Sequence, residues 1–174
     1  FIRDRNKVGG LVGGNRYGTF IVLNCYSTGG VIGDSQVGGL VGMVKEDSST
    51  VNNSYSTSSV NGSGNDVGGL VGGIPTSPSF ISNSYSTGSV SSPGIRLGGL
   101  VGGSDAIITN CYSTGSVISS EGIRIGGLVG RAYGGSISYC YSTGSVTGSS
   151  SVGGIIGFGS GGYSATGLFW NIDE

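Results

Sequence analysis

Apolar residues along this chain come in clusters of two or three, each cut by glycine or serine, and the clusters return on a fixed beat. Val37-Gly38-Gly39-Leu40-Val41-Gly42 reappears at Val8–Gly13, Val67–Gly72, Leu97–Gly102, Ile125–Gly130 and Val152–Gly157. The starts at 8, 37, 67, 97, 125 and 152 are separated by 27 to 30 residues. A second phrase keeps the same beat: Cys25-Tyr26-Ser27-Thr28-Gly29 returns at Ser54–Ser58, Ser84–Gly88, Cys111–Gly115 and Cys140–Gly144. Self-similarity at such a period marks a solenoid, propeller or array. Each repeat reads as three short strand-like pieces: the Val-Gly-Gly-Leu-Val-Gly run, an apolar residue leading to the Tyr-Ser-Thr phrase, and a valine. No segment offers a helical i, i+3, i+4 stripe free of glycine, and β-branched enrichment favours strands. A propeller blade needs roughly 40–50 residues, so the pattern predicts an all-β fold, a parallel β-solenoid of about six coils of 27–30 residues. Residues 1–174 form one such repeat domain, expected to be part of a longer protein, with residues 1–7 as the tail of a preceding coil. Coils stacked at about 4.8 Å make a rod segment roughly 29 Å long.

Alternation along a strand assigns the columns. Val31, Val60, Val90, Val117 and Val146 are expected to form one buried ladder. Asn24, Asn53, Asn83 and Asn110, with Tyr139 departing, form a turn column, because Asn tolerates left-handed backbone. Strict alternation back from Val31 places Cys25 and Ser27 inside. It leaves Tyr26, Tyr55, Tyr85, Tyr112 and Tyr141 as an outer ladder beside Thr28, Thr57, Thr87, Thr114 and Thr143. The alternative is a bend near Asn24 that turns the tyrosines inward as core. In the glycine-rich run, one of each adjacent Leu-Val pair must face outward if the strand is regular. That makes Val12, Val41, Val71, Val101, Val129 and Ile156 a candidate apolar assembly strip. A bulge at the glycine pair is the alternative, leaving one residue in a half-buried corner. Phe169 falls in the tyrosine column, and Leu168, Phe169 and Trp170 suggest a capping coil.

Composition narrows the function classes. With 39 Gly and 10% charged residues, the chain carries a net charge of −1 and no basic stripe, which argues against nucleic acid as a partner. There is no run of 18 apolar residues, so no membrane insertion is expected. The cysteines, Cys25, Cys111 and Cys140, share a column with Ser54 and Ser84, which reads as a small buried slot of free thiols; Cys111 and Cys140 should stack on adjacent coils. The chain contains no histidine, which removes Ser-His-Asp and Cys-His chemistry and the usual zinc ligand sets. Asp34, Asp66, Asp105 and Glu121 are scattered over different turns and make no carboxylate pair. The chain is therefore read as a non-enzyme, without catalytic residues, metal or cofactor. Asn52 and Asn61 begin Asn-x-Ser sequons, candidate glycosylation sites in an exported protein.

The recurring Gly-Gly-Leu-Val-Gly with Asn-Cys-Tyr-Ser-Thr-Gly-Ser-Val resembles the GLUG motif repeat, and the closing Phe169-Trp170-Asn171 resembles the aromatic ending common after such arrays. GLUG repeats occur in large secreted and surface-anchored microbial proteins, including adhesin-like proteins and some metallopeptidases, outside their catalytic parts. The resemblance implies an extracellular or cell-surface location and a scaffold or attachment role. The leading expectation is a structural module: a stalk, an adhesin segment or a fibre subunit that self-associates through solenoid ends or apolar ladders. The alternative is a module that binds a host or cell-surface glycan or protein through the exposed tyrosine and threonine ladders. An ice-binding face built on the threonine column ranks below both.

Overall fold

A computed structural model describes residues 2–15 and 17–171. Phe1 and the closing Asp173 and Glu174, read as the edges of the repeat array, lie outside the described residues. All strand pairing is parallel, and the described residues contain no helix. The chain winds through four sheets, each made of equivalent strands from successive coils. One coil passes Ser35–Gly38, turns, continues as Val41–Met43, then Thr50–Asn52 and Tyr55–Ser56, and closes with Ser59–Gly62. The next coil begins at Val67–Gly68.

The register is the one the repeats dictate. Ile2, Val31, Val60, Val90, Val117 and Val146 pair rung by rung, so the valine ladder exists and the N-terminal tail contributes a rung to it. Val37, Val67, Leu97 and Ile125 form a second ladder. The two together make one core compartment. A second compartment holds the Leu40, Val41, Val51 and Cys111 columns. Because every rung repeats the one below, burial comes from neighbouring coils rather than from distant segments.

The glycine-rich run is two strands with a corner between them, not one strand. Gly38 ends the first strand and Val41 starts the second. A Cβ on Gly39 would collide with the Gly69 carbonyl of the next coil and with Ser56 Oγ; one on Gly42 would collide with Gly13 O of the coil before. Only a residue without a side chain lets backbones pass that closely. The corner also turns both Leu40 and Val41 inward, each with no exposed surface.

Between the compartments stands a wall. The Ser27, Ser56, Ser86, Ser113 and Ser142 column reaches across to the glycine column that begins at Gly10. Ser27 Oγ donates to Gly39 O at 2.5 Å, and Cβ atoms on Gly69, Gly99 and Gly127 would strike Ser86, Ser113 and Ser142. These last three hydroxyls are buried without a hydrogen-bond partner, so the close packing of the wall carries an unpaired-polar cost.

The tyrosine face as candidate functional site

The outer tyrosine ladder is built by a bend. Asn24, Asn53, Asn83, Asn110 and Tyr139 all have positive φ, between 49° and 54°. Each is clasped by the next side chain. Cys25, Cys111 and Cys140 donate from Sγ to the carbonyl two residues back at 3.1 Å. Ser54 and Ser84 do the same from Oγ at 2.8 and 2.7 Å. Exchange of Cys with Ser therefore preserves a donor as well as a volume. The register of Tyr112 with Tyr141 puts Cys111 and Cys140 on adjacent coils, and all three cysteines are free thiols, Cys25 half-buried and the others buried. The Cys140 sulfur against it, together with burial, holds the Cys111 thiol far above the usual thiol range.

After the bend, alternation resumes and the tyrosines face out. Successive rings from Tyr26 to Tyr141 stack with centroids 5.2, 4.8, 4.7 and 4.9 Å apart and planes within 9° of parallel. Phe169 pairs with Tyr141 and Leu168 with Cys140, so the last strand does occupy these columns. Leu168 packs on the larger core compartment. Trp170 takes the serine position and lies over Gly154, where a Cβ would overlap the indole. Burial, then the neighbouring Tyr85 and Tyr141, raises the Tyr112 phenol above the ordinary tyrosine value. Thr28, Thr57, Thr87, Thr114 and Thr143 are all exposed beside the ring stack.

This geometry changes what the ladder can recognise. Stacked in parallel with centroids 4.7 to 5.2 Å apart, the rings shield one another's faces, and the inner ones present mainly edges and hydroxyls. A sugar needs an open ring face to stack on, so the inner rungs offer hydrogen bonding instead. Beside the rings runs a groove of about 370 Å³ lined by Asn24, Asn53, Tyr55, Asn83 and Tyr85. Its amides are partly tied to each other. Asn53 Nδ2 donates to Asn24 Oδ1 at 2.6 Å, Asn83 Nδ2 to Asn52 Oδ1 at 3.1 Å, and Asn110 Nδ2 to Asn83 Oδ1 at 3.4 Å. Asn52 thus has its side-chain oxygen engaged, while Asn61 is exposed on the valine sheet.

The apolar assembly strip does not exist as a surface. Val41, Val71, Val101 and Val129 are wholly buried, and Val12 and Ile156 are partly buried against the same core. The cause is the corner at the glycine pair, which breaks the alternation that placed them outside.

Sequence reasoning missed a second left-handed column. Lys7, Gln36, Asp66, Arg96, Arg124 and Ser151, each just before a Val/Leu/Ile-Gly-Gly, have φ between 52° and 67°. The signal was a polar residue in that slot in all six repeats. Asp66 accepts both Arg96 Nε at 2.6 Å and Nη2 at 2.7 Å across one coil step. Asp34 accepts from Ser63 Oγ at 2.6 Å. Among the described residues, no group of three His, Cys, Asp or Glu side chains could hold a metal ion.

The family model described as the GLUG motif matches residues 5–32, 94–118 and 121–147. These three stretches are GLUG repeats. Each match runs up to or through a valine of the buried ladder, so one GLUG unit corresponds to about one coil. The coils between the matched stretches keep the same register, Val37 to Val67 to Leu97. Comparison with curated proteins and with solved structures gives no match.

Proposed function

We propose that this array of GLUG repeats serves as a non-enzymatic extracellular structural module, a stiff spacer within a stalk, adhesin or surface fibre. The observation that carries the reading is rung-for-rung identity. All four sheets continue in register from coil to coil, and the outer face repeats the same Asn, Tyr and Thr columns. Such a surface changes little along its length, which suits a spacer better than a site where unlike groups converge on one point. The resemblance of the motif to repeats of secreted microbial proteins supports the location.

Lateral self-association through the apolar strip is disfavoured, since that strip is buried. Sedimentation velocity with negative-stain microscopy, run beside a glycan array, tests the reading. Expected are short rods, single or joined end to end, with no saturable glycan signal. Saturable binding lost in Tyr85→Ala and Thr87→Ala variants would replace the spacer with the recognition module.

A further inference from the structure

The chain is poor in charge, yet the basic residues after Lys45 are Arg96, Arg124 and Arg131. Arg96 and Arg124 occupy adjacent rungs of the left-handed column, as the Leu97–Ile125 register requires. Arg131 lies on the neighbouring sheet and pairs with Phe158. Arg96 is spoken for: both its Nε and Nη2 are bonded to Asp66. Arg124 and Arg131 are held differently, by rings. The Arg124 guanidinium lies 5.2 Å from the Phe158 centroid, and that of Arg131 lies 5.7 Å from Phe158 and 4.3 Å from Tyr133. Stacking on an aromatic face fixes a guanidinium plane while leaving its edge donors directed outward. Arg131 spends Nη2 on Ser160 Oγ at 3.1 Å, and its Nε is buried without a partner. The rung beyond Arg124 is Ser151, too short to cover it. Arg124 and Arg131 thus share one ring, with the Arg124 side chain making no hydrogen bond to a described residue and Arg131 left with Nη1 as its uncommitted nitrogen. A guanidinium fork with a second cationic nitrogen beside it matches the oxygens of a carboxylate, sulfate or phosphate.

We infer that Arg124 and Arg131, set by Phe158 and Tyr133, form an oxyanion-binding site on the edge of the solenoid. The site does not depend on the spacer reading, and it lies off the tyrosine face. The test is a titration of the whole 174-residue chain with sodium sulfate, sodium phosphate and sodium acetate in separate arms, ionic strength held constant with chloride. Arginine Nε–Hε resonances are the readout. Saturable shifts are expected for Arg124 and Arg131 and not for Arg96, and the responding arm distinguishes a tetrahedral from a planar anion. Arg124→Lys and Arg131→Lys keep the charge and remove the fork; each should weaken binding at least about tenfold, at the scale of one lost charge-assisted bidentate pair. Non-saturating shifts shared by all three arginines, or lysine variants that bind as tightly as the parent, would overturn the site.

Discussion

The inner coils and the outermost coils carry nearly the same sequence and have different burial. Leu40, Leu70, Leu100 and Leu128 have no exposed surface, whereas Leu11, the same residue in the first copy of the motif, is 50% exposed. Ile125 is fully buried, and Val152, one rung further, is 44% exposed. Nothing in the motif distinguishes these residues. What differs is the number of coils stacked on them, two for the inner rungs and one for the outer. Stability in this fold is therefore a property of adjacent pairs of coils, and the same substitution should have unequal effects at equivalent positions.

The largest contrast is expected at the glycines. Gly99→Ala drives a Cβ into the Gly127 carbonyl and Ser113 Oγ, with coils above and below that cannot move apart. A loss of about 4 kcal/mol or more is expected, enough to abolish cooperative unfolding. Gly10→Ala, the equivalent substitution in the first coil, meets the Gly39 carbonyl and Ser27, but with a coil on one side only. It should cost about 2 kcal/mol. Denaturant titration followed by circular dichroism measures both, and equal losses would break the comparison. Next in size, Leu100→Ala should lose about 3 kcal/mol through cavity formation, and Leu11→Ala well under about 1 kcal/mol.

A smaller effect has the opposite sign. Tyr139 holds a left-handed φ of 54° in the slot that four coils give to Asn, and its side chain is 68% exposed. Tyr139→Asn should stabilise by about 1 kcal/mol, read as a rise in Tm, because Asn tolerates that backbone and adds an amide beside Asn110. The smallest expected effect is alkaline. The Tyr112 phenol is raised by burial and by its stacked neighbours. The unfolded chain therefore loses its proton first as pH climbs. The stability linked to this proton is fully present below the ordinary tyrosine value of about 10. It is lost as pH rises through the higher folded value. Tyr112→Phe should flatten that part of the stability profile, and an unchanged profile would show that the stack does not govern it.

The coil count, the parallel register and the valine ladder were legible in the sequence, whereas the outward tyrosines were one of two open readings. Each rests on period and alternation, which hold wherever the strand is regular. The corner was not legible, because alternation fails where a glycine pair bends the chain, and Val41 and its equivalents were placed on the wrong side for that reason. Closure of the ring faces was hidden too, since a column of tyrosines reads the same whether its rings splay or stack. The arginine cluster escaped because Arg131 stands in a column occupied by Gly14, Met43, Gly73 and Gly103 in the preceding coils, and nothing local pairs it with a phenylalanine one coil away.

The serine–glycine wall has a mechanical consequence. A hollow tube under side load fails by flattening, as opposite walls approach. Here the cross-section is two cells sharing a web in which hydroxyls and bare backbone are already in contact. Flattening must compress atoms that have no free space left between them, since interiors at this density have low compressibility. The web repeats at every rung, so bending resistance is distributed along the whole length instead of residing in a few stiff joints. Lengthening the array adds reach without adding a weak section.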